Sequence, residues 1–159
     1  MATIAYSSSE QSWVGTLDTP LFNGTSVFVD TSGSESPPSP TQLRAVEAAE
    51  SLPAEFHHTI DRLLRDWVAS EWEQDLQEDL EPEDFEWEVY SVEVPHIKLI
   101  ADSYFLIHLQ CELEAEHGIG IACRSGQAFA VCHPDSYSNL KADDDASLNA
   151  PFSAKPRAG

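Results

Sequence analysis

Apolar and polar residues alternate along much of the C-terminal half, with the period of two that indicates a β-strand with one buried face. Every second residue from position 105 to position 113 is apolar. Residues 119–123 and 127–132 are two more strand-like runs, and the Arg124-Ser125-Gly126 connection between them is typical of a hairpin. Together with a further strand at residues 97–101, these runs predict an antiparallel meander.

Two shorter strands are predicted near the N-terminus, at residues 12–17 and 25–30, where β-favouring residues lie on either side of Asn23-Gly24. The turn-forming dipeptide indicates that the two strands pair with each other. Residues 31–40 are rich in serine, proline and glycine, and they are predicted to form a surface loop.

Helical periodicity is clearest over residues 53–74, where apolar side chains recur at spacings near 3.6, and Pro53 suits the first turn of such a helix. A shorter helix is predicted before it, capped by Thr41. The sequence therefore predicts an α+β fold, an antiparallel sheet packed on one face by the amphipathic helix of residues 53–74. The apolar face of that helix consists of Phe56, Ile60, Leu63, Leu64, Trp67 and Val68.

The length of 159 residues suits a single domain. We assign this α+β domain to residues 11–133, which contain all of the periodic patterns. Residues 1–10 are expected to be a flexible N-terminus. Residues 134–159 are rich in Asp, Ser, Ala and Pro without an apolar period, and are expected to be a disordered tail.

The net charge of the chain limits the classes of macromolecule that it is expected to bind. The chain has 28 acidic and 8 basic residues, a net charge of −20, which repels nucleic-acid phosphates and anionic membranes and attracts basic proteins. We therefore expect a basic protein partner, no nucleic acid and no membrane. The N-terminus lacks the features of a secretory signal, and Cys111, Cys123 and Cys132 lie in apolar runs typical of reduced, buried thiols. Both observations favour a cytoplasmic protein.

Acidic residues are densest in residues 71–88, called the acidic segment below, where ten of the eighteen residues are Asp or Glu. Part of this segment has the ligand spacing of a calcium-binding loop, but Leu80 stands where the loop requires glycine. We interpret the segment instead as a surface that binds a protein partner, with aromatic residues as apolar anchors. The predicted partner-binding residues are Trp72, Glu78, Asp79, Glu81, Glu83, Asp84, Phe85 and Trp87.

A compact polar cluster at Glu114, Glu116 and His117 is the second candidate site. An imidazole beside carboxylates can perform general acid–base chemistry or form half of a divalent-metal site, provided that a turn at Gly118 brings the side chains together. The alternative interpretation is a structural polar cluster between strands. His57 and Asp61 also have the i,i+4 spacing of metal ligands but lack the surrounding motif of zinc enzymes. We predict no metal ion and no cofactor.

The segment Cys111-Glu-Leu-Glu-Ala-Glu-His-Gly118, followed by the predicted hairpin, resembles the C-terminal signature of an uncharacterised bacterial family, a domain of unknown function. The family pattern is approximately Cys-x-Trp-x-x-Glu-His-Gly, and here Leu113 replaces its Trp. Residues 12–30 are similar to the opening of that family. Some members occur near polymorphic-toxin systems, in which small acidic immunity proteins are found. The resemblance implies a fold and a context, without catalytic residues.

Two functional hypotheses follow from these observations. The first is a non-enzymatic module that binds a basic protein, such as an acidic immunity-type protein. The alternative is a small metal-dependent hydrolase, or another enzyme, that uses Glu114, Glu116 and His117.

Overall fold

The computed structural model describes residues 2–71, 86–96, 103–111 and 118–132. These residues form an α+β fold. Its elements, in chain order, are β1 (Ile4–Ser7), β2 (Ser12–Asp18), β3 (Asn23–Val29), α1 (Pro40–Glu50), α2 (Phe56–Glu71), β4 (Trp87–Val94), β5 (Tyr104–Cys111), β6 (Ile119–Arg124) and β7 (Gln127–Cys132).

The seven strands form one sheet in the order in which they occur along the chain, from β1 to β7. Every neighbouring pair is antiparallel except β3 and β4, which are parallel. A parallel pair requires a long crossover connection, and α1 and α2 lie between these two strands in the chain. The predicted α+β class and the mostly antiparallel sheet are therefore confirmed, with one parallel pair that was not expected.

The main apolar cluster lies on one face of the sheet, to which alternate residues of each strand point. Val27 and Val29 of β3 are fully buried, as are Ile107 and Leu109 of β5. These side chains belong to one cluster with buried residues from both helices. The helical members of the cluster are Ala45, Val46 and Ala49 of α1 and Phe56, Ile60 and Leu64 of α2.

Helix α1 begins earlier than the sequence predicts. Its N-cap is Ser39 rather than Thr41, because Pro40 takes the first helical position, where its missing N–H is no loss. The Ser39 hydroxyl accepts a hydrogen bond from the Gln42 backbone N–H at 3.1 Å. The Gln42 side chain accepts one in return from the Ser39 N–H at 3.0 Å, which completes a capping box.

Gln42 also joins α1 to the sheet. It is 5% exposed, and its amide nitrogen donates to the Asp30 carbonyl at 2.6 Å and to the Pro95 carbonyl at 3.0 Å. These carbonyls follow the ends of β3 and β4, the parallel pair. One buried amide therefore holds the helix start and the two central strands together.

Two strands and one helix boundary also differ from the sequence-based prediction. Residues 4–7, within the segment expected to be flexible, form β1 and pair with β2. Strand β4 was not predicted, because its N-terminal end overlaps the acidic segment. Helix α2 begins at Phe56 rather than Pro53. The strand predicted at residues 97–101 lies outside the described residues, as do the tail 134–159 and most of the acidic segment.

The predicted hairpin is confirmed, with Arg124 and Gln127 as the closing pair. Ser125 and Gly126 both have positive φ, at 52° and 77°, which is the type I′ geometry that matches strand twist.

Cys111 and Cys123 are buried and reduced, as expected. None of the helices in the described ranges has both the length and the apolar character of a membrane span.

Candidate functional site

The sheet face opposite the core carries polar and aromatic side chains on its two central strands. Val92 and Val94 of β4 point into the core, so the alternating Ser91 and Glu93 point to the opposite face. Phe28 of β3 is the register partner of Glu93 across the parallel pair. A register irregularity between Val89 and Ser91 displaces the β4 backbone, and the intervening residue, Tyr90, is 58% exposed.

These strands form the floor of an open groove of about 580 Å³. One rim is the β1–β2 turn, and the other is the loop that follows β3. The residues that line the groove are Glu10, Gln11, Ser12, Phe28, Asp30, Ser32, Gly33, Tyr90, Ser91 and Glu93.

Both rims contain residues in the left-handed backbone region, with φ of 53° at Gln11 and 57° at Ser32. A non-glycine residue keeps this conformation when its surroundings fix it. The Asp30 carboxylate accepts a hydrogen bond from the Ser32 N–H at 2.7 Å. The Tyr6 hydroxyl donates to the Gly33 carbonyl at 2.9 Å, so the loop is attached to the N-terminal strands. The groove is therefore a shaped site between two fixed rims.

Glu93, Tyr90 and His108 form the polar centre of this face. His108 of β5 is the register partner of Ser91, which places it diagonally across from Glu93. The Tyr90 and His108 rings meet edge to face, with centroids 5.3 Å apart and an interplanar angle of 68°. Burial raises the pKa of the Glu93 carboxyl above its ordinary value of 4.5, and the nearby His108 opposes this with a smaller effect.

Gly118 has no side chain, and the His108 ring lies in the space that a side chain there would need. A Cβ atom at Gly118 would lie 2.7 Å from His108 Nε2 and would also collide with the Leu109 carbonyl oxygen. The φ of Gly118 is +78°, which side-chain-bearing residues rarely adopt. The glycine that ends the predicted polar cluster is thus required for the position of His108.

The groove has the chemistry of a cation-binding site. Of its described lining residues, Glu10, Asp30 and Glu93 carry carboxylates, and none is basic. Phe28 and Tyr90 add aromatic rings, which attract cations through their electron-rich faces. Within the described ranges no group of three His, Cys, Asp or Glu residues could hold a metal ion. This lining suits a cationic group.

Most of the residues singled out by sequence lie outside the described residues. These are Trp72, Glu78, Asp79, Glu81, Glu83, Asp84 and Phe85 of the acidic segment, and the cluster Glu114, Glu116 and His117.

Trp87, the remaining predicted anchor, is partly buried on β4 and packs against the core. Its indole N–H donates to the Asp61 carboxylate at 3.2 Å, and its ring stacks on His57 with centroids 4.5 Å apart. Asp61 also pairs with Arg65 at 3.0 Å. The i,i+4 spacing of His57 and Asp61 therefore serves to join α2 to β4.

The groove residues of β4 were not predicted from the sequence. The signal available was the alternation through Val89, Val92 and Val94, with Glu93 as a charge inside an apolar run. This alternation is interrupted at Tyr90, where the register shifts, and it follows directly on the acidic segment. Asp30 and Glu10 had no local signal, because their proximity to Glu93 depends on strand order.

No family model matches the chain, and no curated protein or solved structure does either. The resemblance to the bacterial family of unknown function stays a prediction.

Glu93→Gln is expected to raise the melting temperature at neutral pH, because it removes a carboxylate whose ionised form is penalised by burial. The raised pKa means that the folded protein takes up a proton before the unfolded chain does as pH falls. The destabilisation of the fold by the ionised Glu93 carboxylate is thus fully present above the folded-state pKa, and it is lost as pH falls towards 4.5. The difference between variant and wild type should shrink over the same window.

Thermal unfolding over a pH series measures this effect, with Glu88→Gln on the exposed side of the same strand as the matched control. The control should change the melting temperature little at any pH. A lower melting temperature for Glu93→Gln at neutral pH would show that the ionised carboxylate stabilises the fold.

Proposed function

We propose that the chain is a non-enzymatic protein-binding module that receives a basic segment of its partner in the groove between the β1–β2 turn and the loop after β3. The observation that carries the proposal is the lining: three carboxylates, two aromatic rings and no basic side chain among the described residues. Such a lining complements lysine and arginine side chains in both charge and shape.

The net charge of −20 supports the proposal, because it would speed the encounter with a basic protein and repel nucleic acids. Glu88, the last residue of the acidic segment, lies on β4 together with the groove residues Tyr90 and Glu93. An acidic immunity-type protein that covers a basic toxin is one role that fits this chemistry. That role rests on the resemblance of residues 111–118 to the bacterial family.

We propose in addition that α2 is the amphipathic helix that covers the opposite face of the sheet. Ile60 and Leu64 are fully buried and belong to the same cluster as the sheet residues Val92 and Leu109. With that face covered by helices, the groove on the opposite face is the proposed docking site.

The test is a pull-down from the native source with the wild type and two charge-matched variants. Asp30→Asn/Glu93→Gln removes two carboxylates from the groove, whereas Glu47→Gln/Glu55→Gln removes two exposed ones from α1 and from the turn before α2. A cognate basic partner should be lost with the groove variant and kept by the control. It should also survive a moderate increase in salt.

Salt separates specific from unspecific capture, because the Debye length falls from about 10 Å at 0.1 M to about 3 Å at 1 M. Long-range attraction is screened over this range, while contacts within the groove are screened less. If both variants lose the same proteins to the same degree, capture follows total charge and the proposed function is wrong.

A further inference from the structure

One corner of the groove is lined by Tyr90, Ser91 and Glu93 of β4, at and just after the register shift, and His108 of β5 lies next to it. Each of the three contributes a different kind of contact to a ligand.

Glu93 contributes two acceptor oxygens. The side chain is partly buried, and no hydrogen bond from the described residues reaches its carboxylate. A carboxylate at such depth is costly unless a partner pairs with it and hydrogen-bonds to it. His108 offsets only part of the effect of burial on the Glu93 pKa, so the remaining cost points to a ligand that supplies both charge and donors.

Ser91 contributes a hydroxyl at the floor of the groove. The residue is 2% exposed and lines the groove. Its hydroxyl can donate or accept a hydrogen bond, so a polar group on a bound ligand can pair with it.

Tyr90 contributes a ring held in place by its edge-to-face contact with His108, 5.3 Å between centroids. With 58% of its surface exposed, it is the one large hydrophobic side chain of the described residues that is exposed. A ring that lines the same groove as a carboxylate suits a planar cation that can stack and form hydrogen bonds at the same time.

We infer that this corner binds the guanidinium group of an arginine side chain of the partner. The inference rests on the proposed function and specifies which basic side chain the groove binds. A guanidinium is planar, offers a fork of donors to the two Glu93 oxygens, and stacks on aromatic rings. It is also more weakly hydrated than the lysine ammonium, so it loses less on entering a partly buried site.

The experiment compares two synthetic peptides, acetyl-Gly-Ser-Arg-Ser-Gly-amide and its lysine counterpart, titrated into the full chain at neutral pH and observed by NMR. The arginine peptide is expected to bind about tenfold more tightly, which corresponds to about 1.4 kcal/mol. Glu93→Gln and Tyr90→Leu should each abolish the preference, and Ser91→Ala should reduce it. Melting temperatures establish that the variants fold, and Glu47→Gln should leave the preference unchanged.

Equal binding of the two peptides, or an arginine preference that persists in Glu93→Gln, would overturn the inference. Neither result touches the proposed function as long as the pull-down still depends on the groove. If neither peptide binds while the groove-dependent partner does, the arginine assignment is wrong and the groove binds another feature of the partner. If the pull-down itself is independent of Asp30 and Glu93, the proposed function fails.

Discussion

Leu109→Ala is expected to lower the free energy of unfolding by about 2–5 kcal/mol, the usual cost of removing a fully buried leucine side chain and leaving a cavity. Leu109 lies in the middle of β5, is 0% exposed, and belongs to the cluster that joins the sheet to both helices. Since β5 has a paired strand on each side, its backbone has little freedom to collapse into the space.

Urea unfolding measures the effect, and Leu43→Ala provides a control with the same chemical change. Leu43 lies on α1, is partly exposed, and alanine is the better helix former, so a loss below about 1 kcal/mol is expected there. Equal losses in the two variants would mean that the core is not centred on β5.

Gln42→Leu is expected to lower the free energy of unfolding by about 2–4 kcal/mol. The substitution keeps a similar volume but removes partners from the Asp30 and Pro95 carbonyls and from the Ser39 N–H. Each buried group left unsatisfied costs about 1–3 kcal/mol, and partial exposure of this helix start reduces the sum. The variant should also bind basic partners more weakly, because the Asp30 rim is no longer fixed.

Chemical denaturation and titration with the arginine peptide measure the two effects on one sample. Glu47→Leu, an exposed position of the same helix, should change stability by no more than about 0.5 kcal/mol. A Gln42 variant as stable as wild type would show that water satisfies the three groups. A destabilised variant with unchanged peptide affinity would show that the rim is held by the contacts of Tyr6 and Ser32 alone.

The elements predicted correctly are those whose signals lie within one stretch of chain. The hairpin of β6 and β7 is one case, because alternation on both sides and Ser125-Gly126 in the turn agree. The pairing of β2 with β3 is another, although Asn23 and Gly24, the predicted turn residues, lie in β3 and the turn is formed by residues 19–22. Helix α1 was found but misplaced by two residues, since Ser39 and Thr41 are both good caps and the choice depends on Pro40.

The topology and the groove could not be predicted from local patterns. The parallel pairing of β3 with β4 joins segments on either side of both helices, and no periodicity records which strands become neighbours. The groove needs that pairing, because Phe28 and Glu93 meet across it and Asp30 follows the end of β3. The sequence did indicate an acidic surface with aromatic residues, but all of its predicted residues except Trp87 lie outside the described residues, so that surface stays a prediction.

The parallel pairing of β3 and β4 also has a kinetic meaning. Ser26 and its partner Ser91 are 65 positions apart in the chain, whereas the other strand pairs join segments closer in sequence. Closing so long a loop is entropically costly and slow, so we expect the local hairpins to form before this ladder does. The groove spans β3 and β4, the strand pair that we expect to form last. A bound partner would hold β3 and β4 together, so it would slow their separation and lengthen the lifetime of the native state.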